Sequence, residues 1–342
     1  MRFGALFLLL LAFAAPAWAQ QDQPRTLAVG PNQSWQHAAT GMILPSRSAG
    51  LTRGEIRDST AEELDVVADY ENRDEAVWAT IYLYRTQVSD VPLWFDRALA
   101  TIMSRSEYGL ATQAAPVPTA FARPGASIAS GFRVALDVGR PEIGSTAVAL
   151  APLGDGFLLK IRLSSSRLDG AALDALMSRF IEGLRWPIAT GAERAAVPIQ
   201  PCPAPPLRFR QARIVRGDPA NVLMDLLGGV VVARNEGPPP VYCREPAGTA
   251  DYGVYRPGGA ADAYLVAVAD AGIALSVGRA ISIEGLSVGG GGRRYSMMML
   301  DRDSTSALPS FNRLPPPAQA MAVAFGDRGP TISVSTNDPG GE

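Results

Sequence analysis

The sequence has few of the side chains that metal sites and acid–base catalysis commonly use. It contains one histidine, His37, one lysine, Lys160, and two cysteines, Cys202 and Cys243. Two cysteines and one histidine are too few for a structural zinc site. A thiol–disulfide exchange motif of the C-x-x-C kind and a calcium loop of the D-x-D-x-D-G kind are also absent from the sequence. We therefore predict no metal, no cofactor and no catalytic residue.

Clusters of positive charge are absent too. The formal net charge is −2, almost every basic residue is arginine, and no stretch concentrates the arginines. A protein that binds nucleic acid usually carries a basic patch or stripe, so we predict no nucleic-acid partner. After Gln20 no apolar run approaches the roughly 20 residues that a membrane-spanning helix needs. We therefore predict no stable insertion into a membrane.

The first 19 residues have the pattern of a secretory signal peptide. Arg2 precedes an apolar run over residues 3–15, and the tripeptide A-W-A ends at Ala19. These features predict cleavage between Ala19 and Gln20. The apolar run is shorter than the roughly 20 residues needed to span a bilayer. We expect the mature protein to be soluble and either periplasmic or secreted.

Export would place the two cysteines in an oxidising compartment. Cys202 and Cys243 are separated by about 40 residues, and a pair of cysteines in an exported chain is typical of a disulfide. Closing a loop of that length stabilises a fold by about 3 to 4 kcal/mol if the effect is the lost entropy of the unfolded chain. We predict the Cys202–Cys243 disulfide.

A change of composition divides the mature chain. Residues 188–206 are rich in alanine and proline and have no apolar period, which is typical of a linker. We predict a flexible N-terminus over residues 20–34, an α+β domain over 35–187 and a mainly β domain over 207–342. The hydrophobic content of 47% supports packed cores.

The first domain is predicted to be an antiparallel sheet with two helices. Apolar and polar side chains alternate over residues 77–84, which indicates a strand. Asp90 can cap a helix that has Pro92 in its first turn, and a second helix begins at Asp169. Their apolar stripes need a sheet to pack against. The stripe of the first helix is Trp94, Phe95, Ala98, Leu99, Ile102 and Met103.

The second domain is predicted to be mainly β, because short apolar runs alternate with turn-forming residues. Two short helices interrupt the strands. The strands are expected at 207–215, 230–234, 251–255, 264–269, 273–277, 281–288, 295–300 and 331–334, and the helices at 221–227 and 317–325.

The order of elements over residues 35–187 resembles the PsbP-like α/β/α sandwich, which is found in extrinsic photosystem subunits and in many small exported bacterial proteins. The resemblance covers less than half of the chain. It lies in the order of the elements and in the general sequence pattern, without a diagnostic motif. It implies a three-layer fold and a role in binding partners, although fold alone does not fix function. The segments that carry it are WQHAATGMILP (35–45), AVWATIYLYR (76–85), LWFDRALATIM (93–103) and LDALMSRFIEGLRWP (173–187).

Two motifs of known enzymes occur close together near the C-terminus. Gly285, Ser287 and Gly289 match G-x-S-x-G, but a nucleophile elbow needs a helix after the serine and a histidine further along the chain. The single histidine precedes Ser287, and a serine without a base is a weak nucleophile. Asp301 and Asp303 begin a D-x-D-x-T match that no lysine follows. We interpret both matches as strand, turn and strand, with a Ser287 hydrolase as the alternative.

Aromatic side chains form the best candidate binding site in the sequence. Trp78, Tyr82 and Tyr84 share one face of the strand over residues 77–84, and Arg85 follows them. If that face is covered, these residues belong to a core. If it is open, they form a platform for a protein or a glycan of the cell envelope. His37 is expected at the surface or half-buried.

The sequence therefore predicts an exported, non-enzymatic protein with a binding, assembly or envelope-maintenance role. Its partner would be an envelope protein or a glycan. The alternatives are the Ser287 hydrolase and a structural component of an envelope complex. The sequence predicts no oligomeric state.

Overall fold

The structure is a computed structural model that describes residues 24–111, 113–188, 193–215, 240–280 and 294–326. The predicted signal peptide and its cleavage site lie outside these residues. So do the strands expected at 230–234, 281–288 and 331–334 and the helix expected at 221–227.

The first half of the chain forms an antiparallel sheet with one helix on each face. Within the described residues this first sheet has the strand order β1-β5-β6-β7-β11-β10-β9-β8, with β4 also paired to β5, while β2 and β3 form a separate hairpin. The elements are β1 (Arg25–Thr26), β2 (Trp35–Gln36), β3 (Ile43–Leu44), β4 (Arg47–Ser48), β5 (Leu51–Asp58), β6 (Asp65–Asn72), β7 (Val77–Arg85), α1 (Val91–Ser104), β8 (Thr119–Phe121), β9 (Gly131–Asp137), β10 (Ser145–Gly154), β11 (Phe157–Ser165) and α2 (Gly170–Gly183).

The second half forms another sheet, with the order β12-β14-β15-β16-β17-β18-β19-β13. Its described strands pair antiparallel except β12 with β14, which are parallel. The elements are β12 (Gln200–Pro201), β13 (Ile214–Val215), β14 (Tyr242–Glu245), β15 (Tyr252–Pro257), β16 (Tyr264–Val268), β17 (Ile273–Arg279), β18 (Tyr295–Leu300), β19 (Thr305–Phe311) and α3 (Pro317–Phe325).

The two long helices start where the sequence predicts. The Asp90 carboxylate accepts a hydrogen bond of 2.8 Å from the backbone N–H of Leu93 and caps α1. Asp169 caps α2 through the N–H of Ala172, also at 2.8 Å. Both carboxylates satisfy an N–H group that has no partner inside its helix. The α+β class, the two helices of the first half and the helix at 317–325 are confirmed.

The helices α1 and α2 pack on opposite faces of the first sheet. The face that meets α2 includes Ile81, Leu83 and Ile161, which are buried in one core with Met177 and Phe180 of the helix. On the other face, buried apolar residues of β9 and β10 meet α1. Successive residues of a strand point to opposite faces, and the central strands β7, β10 and β11 contribute buried residues to both cores.

Helix α1 lies between the two sheets. Its core also contains Tyr255, Leu265 and Ala267 from the second sheet. The close approach depends on Gly253, because a Cβ there would come within 2.6 Å of the Cδ of Arg97 on α1. The opposite face of the second sheet packs on α3. The layers therefore follow the order α2, first sheet, α1, second sheet, α3.

The turn between β16 and β17, residues 269–272, is held by side chains from the first half of the chain. The Lys160 ammonium donates to a carboxylate oxygen of Asp270 at 2.8 Å and to its carbonyl oxygen at 3.1 Å. Both side chains are nearly buried, with 7% and 10% exposed. Two further donors reach the same turn: the Thr86 hydroxyl bonds the Gly272 carbonyl at 2.8 Å, and Nε of Arg97 bonds the Ala269 carbonyl at 3.0 Å.

Three segments differ from their predicted form. Part of the expected flexible N-terminus is a strand, because β1 pairs with β5. Part of the expected linker is β12, which pairs with β14. The strand expected over residues 207–215 is confined to Ile214–Val215. Leu207 and Ala212 in the preceding stretch are buried in the core under α3 without strand pairing.

Candidate functional site

A groove of about 510 Å³ follows the exposed side of α1. The helix residues that line it are spaced three or four apart, so they lie on one face. Most of them are apolar, and the exceptions are Asp96 near the middle of the stripe and Ser104 at its end. The lining residues of α1 are Pro92, Phe95, Asp96, Leu99, Ala100, Met103 and Ser104.

The rest of the groove comes from two extended segments and the first sheet. Residues 113–118 form one wall, and Pro198, Ile199 and Gln200 form the other. Phe132 of β9 lines the groove, with its ring centroid 5.3 Å from that of Phe95. Helix, walls and sheet thus enclose a mostly apolar channel.

Polar contacts fix the beginning of the second wall to the first half of the chain. The Glu193 carboxylate accepts hydrogen bonds from Nε of Arg123 at 2.8 Å and from the Ser130 hydroxyl at 2.6 Å. Arg194 donates to Asp90, the cap of α1, at 2.7 Å. These bonds hold residues 193–196 against the start of α1 and the first sheet.

The disulfide fixes the other end of this wall. Cys202 and Cys243 are bonded, as the sequence predicts. Cys202 directly follows the strand that carries Gln200, and Cys243 lies in the strand that carries Arg244. Both Gln200 and Arg244 line the groove. The wall is therefore attached to both sheets.

An ion pair marks the polar part of the groove. Arg244 donates to one carboxylate oxygen of Asp96 at 2.5 Å, and the Tyr255 hydroxyl donates to the other at 2.7 Å. Burial raises the pKa of Asp96, and the opposing effects of Arg244, Tyr255 and Arg97 only reduce this shift. The Arg244 side chain is 42% exposed. Within the described residues, its remaining N–H groups have no partner.

The four residues of the predicted aromatic platform do not form one exposed surface. Tyr84 is buried against the 269–272 turn, beside Gly272. Trp78 and Tyr82 are half-buried on the same face, and the Lys160 ammonium lies 4.3 Å from the ring centroid of Tyr82. Arg85 is the next residue along β7, and alternation puts it on the opposite face. A platform made of Trp78 and Tyr82 alone stays a prediction.

His37 is buried, contrary to the expectation of a surface or half-buried position. Its Nε2 donates to the Glu63 carbonyl at 2.8 Å, and its Nδ1 accepts from the Thr40 N–H at 3.2 Å. This pattern fits a neutral ring. Burial lowers the pKa of His37, and the effects of Glu63 and Asp58 that raise it are smaller.

We expect acid to destabilise the protein through His37. Because its pKa is below 6.5 when folded and about 6.5 when unfolded, its contribution is complete above pH 6.5 and is lost as the pH falls toward the folded value. Urea unfolding across this range should show a decline in the wild type. His37→Gln should show a smaller decline, because the chain has no other histidine. Parallel profiles for the two proteins would contradict the assignment.

The two enzyme motifs have different outcomes. Ser287 and its flanking glycines lie outside the described residues. The D-x-D-x-T match is the turn between β18 and β19, closed by a bond of 2.9 Å from the Asp301 N–H to the Ser304 carbonyl. Arg302 in this turn pairs with Asp65 of β6. The turn thus connects the two sheets, and the interpretation as strand, turn and strand is confirmed here.

The sequence did not reveal the groove. The feature of the sequence that could have indicated the groove is the width of the apolar surface of α1. Leu93 and Ala100 make this surface wider than the predicted stripe. A helix that is apolar over most of its circumference has several partners. The positions of Gln200 and Arg244 in the walls depend on long-range pairing, for which a single sequence carries no local signal.

No family model, curated protein or solved structure matches the chain. The PsbP-like resemblance of residues 35–187 therefore stays a prediction. In the described ranges, no group of three or more His, Cys, Asp or Glu side chains is placed to hold a metal ion. No helix in this part of the chain is long and apolar enough to cross a membrane.

Proposed function

We propose that the protein is an exported, non-catalytic binding protein whose ligand lies in the groove along α1. The observation that carries this proposal is the groove itself. Its volume of about 510 Å³ falls in the range of roughly 300 to 1,000 Å³ that is usual for small-molecule sites. A mostly apolar lining with a few fixed polar groups is also typical of such sites.

The proposed location is the periplasm or the extracellular space. The predicted signal peptide supports export, and the Cys202–Cys243 disulfide is consistent with an oxidising compartment. In that setting a protein that takes up an apolar ligand would serve binding or maintenance functions of the cell envelope.

Blocking the groove should abolish binding and leave the fold intact. Ala100 is half-buried in the groove, so the Ala100→Trp side chain would fill part of it. Titration with the neutral apolar dye N-phenyl-naphthylamine should give a saturable rise in fluorescence with the wild type. We expect no saturable rise with Ala100→Trp.

The matched control is Ala171→Trp, which places the same side chain on the exposed surface of α2. This variant should bind the dye as the wild type does. Circular dichroism should show that both variants are folded. Equal dye binding by all three proteins would contradict the proposed site. Covalent labelling of Ser287 by a fluorophosphonate would support the hydrolase alternative.

A further inference from the structure

We propose that the groove takes an alkyl-chain carboxylate, with its chain along α1 and its head group at Arg244. This inference rests on the proposed function, because it names the class of ligand for the same groove. It follows from the charges in the groove, from the free donors of Arg244 and from the apolar length of the groove along α1.

The charged side chains of the groove disfavour a cationic ligand. Asp96 and Arg244 are the charged residues among those that line it. Both carboxylate oxygens of Asp96 already accept hydrogen bonds, one from Arg244 and one from the Tyr255 hydroxyl. The guanidinium of Arg244 already balances the charge of Asp96 and would repel a cationic head group beside it.

The same arrangement leaves Arg244 available to an anion. A guanidinium carries N–H donors on three nitrogens and accepts nothing, and within the described residues Arg244 uses one of these nitrogens, for Asp96. Position on β14 next to Cys243 and the bond to Asp96 hold the side chain at the groove. A carboxylate can accept two of the remaining donors at once in a bidentate pair.

The apolar part of the groove suits an alkyl chain. The stripe from Pro92 to Met103 is about 17 Å long at 1.5 Å per helical residue. Prolines at positions 92, 116, 118 and 198 add apolar surface to the lining without a backbone N–H donor. An alkyl chain needs apolar surface along this length and no hydrogen-bond partners.

The test compares decanoate, decanol and decyltrimethylammonium by isothermal titration calorimetry with the full mature chain. The three compounds share one alkyl chain and differ in the head group. We expect decanoate to bind about tenfold more tightly than the other two, as one charge-assisted interaction provides. Arg244→Gln should abolish this preference. Arg279→Gln, which removes an exposed arginine paired with Asp262 away from the groove, should keep it.

Other results would reject the head group, the alkyl chain or the groove itself. Equal affinities for the three compounds, or a preference that survives Arg244→Gln, would reject the carboxylate head group and leave the groove as a binding site. Tighter binding of N-acetyl-trileucine than of decanoate would reject the alkyl class in favour of a peptide. If no compound binds and the dye also fails, the proposed function itself is wrong. A near-UV circular dichroism spectrum like that of the wild type would show that Arg244→Gln is folded.

Discussion

Asp270→Ala is expected to lower the free energy of unfolding by about 3 to 5 kcal/mol, because it leaves the buried Lys160 ammonium without its counterion. Burial alone would raise the pKa of Asp270, but the ammonium of Lys160, with help from Arg162 and Arg97, outweighs burial and keeps the pKa below its ordinary value. The contribution is therefore present above the unfolded pKa of 3.8 and is lost as the pH falls through the folded value. Urea unfolding at neutral pH measures the loss.

Two controls separate the buried pair from surface charge effects. Glu71 pairs with Arg73 in an ion pair whose side chains are 51% and 84% exposed, so Glu71→Ala should change stability by less than about 1 kcal/mol. The double variant Lys160→Met with Asp270→Ala removes both buried charges and should cost less than Asp270→Ala alone. A loss below about 1 kcal/mol for Asp270→Ala would show that the pair does not hold the two sheets together.

Removal of the disulfide is expected to weaken both stability and binding. The bond closes a loop with a sequence separation of 41 residues, so replacing both cysteines by serine should lower the free energy of unfolding by about 3 to 4 kcal/mol. Because the bond joins the strands that carry Gln200 and Arg244, dye and decanoate should also bind more weakly. Unfolding and titration of Cys202→Ser with Cys243→Ser, beside the wild type, measure the two effects.

The predicted loss of ligand affinity in the double serine variant has its own control. Asp270→Ala also destabilises the fold, but it acts at the 269–272 turn and not at the groove wall. The affinities are compared at neutral pH without urea, where both variants are folded. Under these conditions decanoate affinity should fall in the double serine variant and stay near the wild-type value in Asp270→Ala. Unchanged affinity in the serine variant would mean that the wall keeps its position without the disulfide.

Local signals in the sequence were enough to predict β7 and the two long helices of the first half. Alternation over residues 77–84 predicted β7, and the caps Asp90 and Asp169 predicted where both helices begin. These features depend on neighbours within a few residues, so one sequence contains them. The short strands β1 and β12 were not predicted, because two residues are too few to show an alternating pattern. Their formation depends on strand partners far along the chain.

The contacts between the two halves of the chain could not be predicted from such local signals. In the sequence, Lys160 occupies a polar position of an alternating strand. In the structure it is buried and paired with Asp270, which is 110 residues away along the chain. Tyr84 reads as part of an aromatic platform, but the same turn covers it. Arg302 reads as part of an enzyme motif, but it pairs with Asp65. The groove belongs to the same class of feature, since its walls come from segments that only the complete fold brings together.

The position of the bound alkyl chain is the most direct test of the account. Met103 lines the groove, whereas Met177 of α2 and Met321 of α3 are buried in the other two cores. In the protein labelled with ¹³C at the methionine methyl groups, titration with decanoate should shift the Met103 resonance and leave those of Met177 and Met321 in place. An unmoved Met103 resonance at saturating decanoate, or shifts confined to Met177 or Met321, would contradict a ligand site along α1.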